Sequence, residues 1–531
     1  MSDAVFLGVD VGTGSARAGL FDAQGQMLAV AKRDIRMWRD STDFAEQSSD
    51  DIWQAICAAT QEAVENAGID PTRVAGIGFD ATCSLVVLGQ NGEPLSISPS
   101  GDAARNIIVW MDHRALDQAR RINATGHDVL RYVGGIISPE METPKLLWLK
   151  ENMPQTYDAA WQFFDLADYL SWRATGDTAR STCTVTCKWT YLAHEGRWDP
   201  DYFRTIGLGD LADEDFRRIG ERIVAPGTPL GRGLTAEAAA ELGLNEGTPV
   251  AAGLIDAHAG GIGTVGAEGR PESNLAYVFG TSSCTMTTTA QPAFVPGVWG
   301  PYYQAMIPDM WLNEGGQSAA GAAIDQLLHF HPAAPEATEA ARSAGMPLPV
   351  WLAEQATASL GSLSDAVTLA GKLIVVPEFL GNRAPFADPD ARAIISGLGM
   401  ERDISSLVAL YIAGICGVGY GLRQIIETQD REGVTVDRVV ISGGAGSLPL
   451  IRQLLADATG KPVISVEAEE PVLAGSAILG AVAAEAYPSM ADAMRNMSRK
   501  SAEFRPESDA AARHDDRYRV FCALQDAAKL S

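Results

Sequence analysis

The chain has 531 residues, enough for two or three domains, and its 46% hydrophobic and 20% charged residues are an ordinary globular composition. Its 67 acidic residues outnumber 41 basic ones, leaving a formal net charge of −26. That field repels phosphodiester backbones and anionic bilayers, so neither nucleic acid nor membrane is an expected partner, whereas an uncharged small molecule meets no such barrier.

Seven cysteines, at 57, 83, 183, 187, 284, 416 and 522, include no Cys-x-x-Cys pair, and Cys183 with Cys187 lacks a second pair to complete a metal site. A reduced, cytoplasmic setting is the expectation. Ser2-Asp3-Ala4 runs straight into a strand, so no secretory leader is expected. The longest apolar stretch, 472–484, is rich in Ala and Gly and too short to span a bilayer.

Val5-Phe6-Leu7-Gly8-Val9 is an apolar run ending in Asp10, and Val11-Gly12-Thr13-Gly14-Ser15 turns tightly after it. Glycines at such a turn let a ligand approach the backbone. Strands are predicted at 16–21 and 27–31, then a helix at 50–67 with Ala55, Ile56, Ala59, Ala63 and Val64 on one face, ended by Gly68. A strand at 74–79 runs into Asp80. The opening then recurs: Leu275-Ala276-Tyr277-Val278-Phe279 leads into Gly280-Thr281-Ser282-Ser283 and a strand at 284–289. Both Gly-Thr turns lie between strands and each opens a half of the chain, which points to a duplicated frame. Val278 stands where the first copy has Asp10, so only the first turn offers a metal a carboxylate.

The second half continues with a helix at 318–329, an Ala- and Pro-rich surface excursion at 332–349, and a long helix at 403–428. Gly414, Gly417, Gly419 and Gly421 weaken that helix on propensity and are read as close-packing positions. A strand at 438–442 meets Gly443-Gly444-Ala445-Gly446, and a helix begins near 448. Such a step suits a nucleotide, because helix N-terminal amides face the ligand, but a structural turn fits the pattern as well.

Phosphoryl transfer needs amides and cations around the phosphates, a metal, an oriented acceptor and a base. Asp10 suits Mg²⁺, which prefers one or two carboxylates with water and phosphate oxygens, or it caps the turn. Arg17 reaches a phosphate or is a solvated edge charge. Ala251 to Gly260 sets Asp256 and His258 among small apolar residues. Asp256 is placed as a general base or a helix N-cap, and His258 reads as a packing residue. Trp110-Met111-Asp112-His113-Arg114 is a polar loop, substrate-facing or salt-bridged. Lys188 is a candidate for sugar hydroxyls against the default of a surface lysine. Glu314, in Leu312-Asn313-Glu314-Gly315-Gly316-Gln317, is expected between a strand and a helix.

In this order the pieces resemble the FGGY family of carbohydrate kinases over nearly the whole chain. Gly8 to Ser15 looks like the family's first phosphate motif, Gly280-Thr281-Ser282 like its second, and Ser442-Gly443-Gly444-Ala445-Gly446-Ser447 like its adenosine motif. Leu380-Gly381-Asn382-Arg383-Ala384-Pro385 with Asp388-Pro389 is also typical. Lys145 to Asn152 is similar to a further family pattern, with Glu142 where a small residue or Pro is usual. The resemblance implies an α/β fold of two actin-like, ribonuclease-H-like domains, residues 1–262 and 263–531, flanking a catalytic cleft. It implies ATP and Mg²⁺, Asp10 as the metal ligand and Asp256 as the base. Gly12, Thr13, Gly14, Ser15, Arg17, Gly280, Thr281, Ser282, Gly443, Gly444 and Ser447 are implied around the nucleotide.

Asp80-Ala81-Thr82-Cys83-Ser84-Leu85-Val86, followed by Met111-Asp112-His113-Arg114, looks most like the D-ribulokinases of that family. The likeness implies a pentulose acceptor, with Cys83, Ser84, Asp112, Lys188, Asp256 and Glu314 around the sugar. Ribitol, L-ribulose and xylulose stay open as acceptors. Actin-like ATPase chaperones and filament proteins share the phosphate hairpins and form the alternative class. The expected partner is a sugar or polyol, and the reading allows a homodimer.

Overall fold

A computed structural model describes residues 3–266, 271–358, 360–467 and 470–529. Strands β1 (Val5–Val11), β2 (Ser15–Asp22) and β3 (Met27–Asp34) form an antiparallel meander. All seven residues of β1 are buried, which is why a strand covered on both faces reads as an unbroken apolar run. Helix α1 (Ser49–Ala67) starts at Ser48, whose hydroxyl accepts the Asp51 N–H, and stops at Gly68 in the left-handed conformation. Its buried Ile52, Ile56, Ala59, Ala63 and Val64 cover the sheet. Then β4 (Val74–Ala81) runs parallel beside β1, and a short β5 (Leu254–Ile255) runs parallel beside β4. The sheet order is β5-β4-β1-β2-β3.

The frame is repeated in the second half. Strands β6 (Asn274–Phe279) and β7 (Ser283–Thr289) form the second hairpin, followed by β8 (Trp299–Tyr303) and β9 (Trp311–Gln317). With β10 (Arg438–Ser442), β11 (Val463–Val466) and β12 (Lys500–Phe504) they make a seven-stranded sheet ordered β8-β9-β7-β6-β10-β11-β12. Stripped of its edge strands β8 and β12, this order matches the first sheet strand for strand, with the same antiparallel hairpin and the same two parallel neighbours.

Between these strands lie α2 (Thr182–Lys188), α3 (Asp256–Val265), α4 (Gly321–His329), α5 (Ile404–Arg431), α6 (Pro449–Thr459) and α7 (Pro471–Ala483). The division expected at 262/263 passes through α3, so the halves are joined by a helix. Helix α7 of the second half lies on the first sheet. A β-carbon at Gly8, Gly76 or Gly78 would run into its backbone, and one at Gly475 would run into α3. Helix α5 is long and apolar enough to cross a membrane, but 72% of its most apolar window is buried inside the second half. Gly414 and Gly419 sit where a β-carbon would press on Leu327 and Ala458, at 2.6 and 2.8 Å, so close packing accounts for them. The excursion expected at 332–349 is instead mostly helical, Ala334–Ser343 and the start of Leu348–Thr357. Each helix carries its proline in the first turn, where no N–H is needed.

Candidate active site

Because β1, β4 and β5 are parallel, their C-terminal ends share one edge of the sheet, and each delivers a carboxylate there. Asp10 and Asp80 are register partners, and Asp256 follows β5 directly. Asp80 is fully buried; one of its oxygens accepts from the Ser476 hydroxyl of α7 and the other has no partner. Burial, then the neighbouring Asp10, push its carboxyl well above the ordinary range. Asp256 is the first residue of α3 and not its N-cap, which is Ile255. Its Oδ1 accepts the Ala257 N–H at 2.7 Å. Burial and Asp10 raise it to about 6, against the pull of that N–H, His258 and Lys188. A carboxylate poised there is suited to take a proton near neutral pH.

Arg17 is already occupied. Its Nε donates to Asp10 Oδ2 at 2.7 Å, a second nitrogen joins the same oxygen, and NH1 meets Glu470 at 2.6 Å. It is therefore not a solvated edge charge, being tied to Asp10 within the first half and to Glu470 of the second. Among the described residues no group of three His, Cys, Asp or Glu side chains is placed to hold a metal. A single buried carboxylate such as Asp10 beside a phosphate turn is nevertheless the donor set Mg²⁺ accepts, since it keeps water and phosphate oxygens for its other positions.

The two Gly-Thr turns close in the same way, Gly12 N–H to Ser15 O at 3.0 Å and Gly280 N–H to Ser282 O at 2.9 Å. Thr13 is held by the Trp110 indole on its hydroxyl and by Gln47 on its carbonyl. The Thr281 carbonyl accepts from Ala320 and Ala322 at the start of α4. A β-carbon at Gly14 or Gly444 would meet nothing within 4 Å, and at Gly12 or Gly280 only an oxygen of its own turn. None of these four has a positive φ. Packing and backbone conformation therefore do not require glycine at them; what they share is open space above the amides. Gly443 differs, with φ 92° and the Phe279 carbonyl in the way of any side chain. After it comes a short 3-10 turn, 444–446, before α6, and Ser447 is exposed.

On the acceptor side, Lys188 ends α2 and is buried, its Nζ 5.4 Å from the centre of the Trp299 ring. It makes no hydrogen bond to any described residue. Burial disfavours its charge, but Cys83 and Glu314 beside it raise its pKa well above the ordinary value. Glu314 lies inside β9, opposite Met286 and Trp299, and not between a strand and a helix as its Gly-Gly neighbours suggest. Burial opposes its charge, yet the hydrogen bond and charge of His258, then Lys188, hold it down at about 2. Cys83 is buried in the loop after β4, its thiol pushed up to about 12 by burial.

Two expected sugar contacts face elsewhere. Asp112 is fully buried, with Oδ1 accepting from the Arg114 backbone and Nε and Oδ2 from Arg114 and the Ala45 N–H, so no acceptor capacity is left for a sugar. Ser84 is also fully buried; its hydroxyl accepts the Trp110 N–H at 3.1 Å and shares a hydrogen bond with Thr82. Both hold loops in place. Conversely, Trp299, Tyr302, His258 and Asp80 belong to the site without having been placed there from the sequence. The dense aromatics of Trp299-Gly300-Pro301-Tyr302-Tyr303 were the available signal for the first two.

The N-terminal domain of the FGGY family of carbohydrate kinases matches residues 5–263 and its C-terminal domain matches residues 275–484. The chain belongs to this family and is a sugar kinase, a phosphotransferase acting on an alcohol group. It is 45% identical to a human FGGY carbohydrate kinase domain-containing protein, over 98% of this chain and 96% of that protein. It is 38% identical to a D-ribulokinase of Saccharomyces cerevisiae, over 94% of this chain and 75% of that protein. Among solved structures, the xylulose kinase of Rhodospirillum rubrum aligns at a TM-score of 0.82 with 23% identity, over 98% of both chains, which establishes the two-domain α/β fold.

Proposed function

We propose that this kinase phosphorylates a pentulose, D-ribulose to D-ribulose 5-phosphate, using ATP with Mg²⁺ in the cytoplasm. One observation carries the reading: Lys188 is a buried ammonium with no hydrogen bond to a described residue, set beside the Glu314 carboxylate and near Asp256. A nearly buried cation whose donors stay open to a cleft suits a polar ligand, and a ketose supplies a carbonyl and hydroxyls without charge. The 38% identity to a D-ribulokinase supports the same acceptor.

In this reading Lys188 donates to the carbonyl or an adjacent hydroxyl, Glu314 accepts from hydroxyls, and Cys83 with its small neighbours leaves room for five carbons. Asp256 takes the proton from the primary hydroxyl as that oxygen attacks the γ-phosphorus and the bond to ADP breaks. The turns Gly12–Ser15 and Gly280–Ser282 hold the phosphates, and Gly443, Gly444 and Ser447 the adenosine. Asp10 would hold Mg²⁺, which neutralises phosphate charge when bound. Residues 1–262 and 263–531 act as the two walls of the cleft.

The test is kcat/KM for D-ribulose, L-ribulose, D-xylulose, ribitol and glycerol side by side. D-ribulose should lead, with glycerol lower by about 10⁴-fold because buried polar groups go unpaired. Glycerol or xylulose leading the series would overturn the acceptor assignment.

A further inference from the structure

His258 lies on the first turn of α3, fully buried, and both of its ring nitrogens are engaged. Nδ1 is 3.1 Å from Cys183 Sγ on α2, and Nε2 is 3.3 Å from Glu314 Oε2 on β9. Cys183 is itself fixed, since its sulfur also accepts the Ile255 N–H at 3.3 Å, immediately before Asp256. The three elements that carry Lys188, Asp256 and Glu314 therefore meet at one imidazole. Two of them belong to the first half and the third to the second.

Glu314 depends on this contact. The hydrogen bond to His258 is the only one its carboxylate makes to a described residue, and it uses only Oε2, leaving Oε1 for another donor. A buried carboxylate without a donor is unfavourable, and a single hydrogen bond leaves its direction free unless the donor is itself held. His258 is held at Nδ1 by Cys183 and by its place on the buried first turn of α3.

We infer that His258, braced by Cys183, is a positioning residue for acceptor recognition. It fixes the Glu314 carboxylate of the second half against the hydroxyls of the acceptor, and takes no proton in the transfer itself. The inference rests on the kinase reading above and on Glu314 as an acceptor contact. It adds that selection among polyols is set by an imidazole that does not touch them.

The test compares His258→Leu, which removes the donor, with His258→Gln, whose amide replaces the Nε2 proton. Acceptor KM, ATP KM and kcat are taken from the high-pH plateau of each variant, where Asp256 is ionised whether or not His258 is present, with whichever acceptor leads the series above, so failure of the pentulose assignment leaves this test intact. His258→Leu should raise acceptor KM about tenfold or more, with kcat and ATP KM within about threefold, and His258→Gln should recover most of the loss. Adding Glu314→Gln to His258→Leu should cost less than about twofold further, because one interaction is being removed twice. If the leucine variant does not fold, Cys183→Ala against Cys183→Ser carries the same comparison: alanine raises acceptor KM by about threefold and serine restores it. A fall in kcat at constant acceptor KM, a parallel rise in both KM values, or full additivity with Glu314→Gln would each overturn the proposal.

Discussion

Arg17 and Glu470 face each other across the two halves at 2.6 Å, the first on the hairpin strand β2, the second at the start of α7. The Arg17 guanidinium is thus held by two carboxylates, Asp10 and Glu470, which in the proposed function would compete with the phosphate oxygens of a nucleotide. Glu470→Gln removes one competitor. A partly exposed pair of this kind is worth about 0.2–1 kcal/mol. ATP KM should therefore fall by about 1.4- to fivefold, measured by initial rates at saturating acceptor. An unchanged or higher ATP KM would mean that Arg17 does not answer to phosphate.

In the proposed function Asp256 is the base and sets the pH dependence. Its folded pKa is raised to about 6, and the base works only when ionised, so activity is present above that value and is lost as pH falls through it. A plot of log kcat/KM should bend near pH 6 and drop about tenfold per unit below. Asp256→Asn should lower kcat by about 10²- to 10⁴-fold with little change in acceptor KM. Near-normal turnover in that variant would remove Asp256 from the chemistry.

The two hairpins should differ toward metal. Asp10→Ala is expected to depress turnover and raise the Mg²⁺ concentration for half-maximal rate, whereas Val278→Ala, at the matching place in β6, should do neither. Equal Mg²⁺ titrations for the two variants would contradict the asymmetry.

Gly14 separates stability from binding. A β-carbon there meets nothing within 4 Å and φ is not positive, so Gly14→Ala should leave the melting temperature unchanged or raise it slightly, through a less flexible unfolded chain. The methyl group would nevertheless occupy the space over the turn. ATP KM should rise, read with differential scanning fluorimetry on the same sample. A destabilised variant with normal ATP KM would make the glycine structural.

The frame was legible wherever local pattern and tertiary role agree. Runs such as Val5 to Val9 read as central strands because both of their faces are covered, and the two Gly-Thr turns announced the repeat. Legibility failed where a partner is remote or a glycine has two meanings. Glu470 is 453 residues from Arg17, and no local pattern encodes that meeting. Gly315-Gly316 reads as a turn, yet it lies in β9, where a side chain at Gly316 would collide with the Ser283 carbonyl of β7. The polar loop of Asp112 fitted a substrate contact or a salt bridge equally, and only the fold reveals that Arg114 and the Ala45 N–H use up its carboxylate.

Helix α7 bears on how the protein is made. Gly8, Gly76 and Gly78 leave a smooth strip on the first sheet that nothing in residues 3–266 fills, and its cover is residues 471–483. On the ribosome, this amino-terminal sheet is finished hundreds of residues before its lid is translated. The nascent half must wait with an apolar strip exposed, the condition under which chains associate wrongly. Synthesis rate and chaperone supply should therefore govern the yield of this enzyme more strongly than point changes on its outer surface.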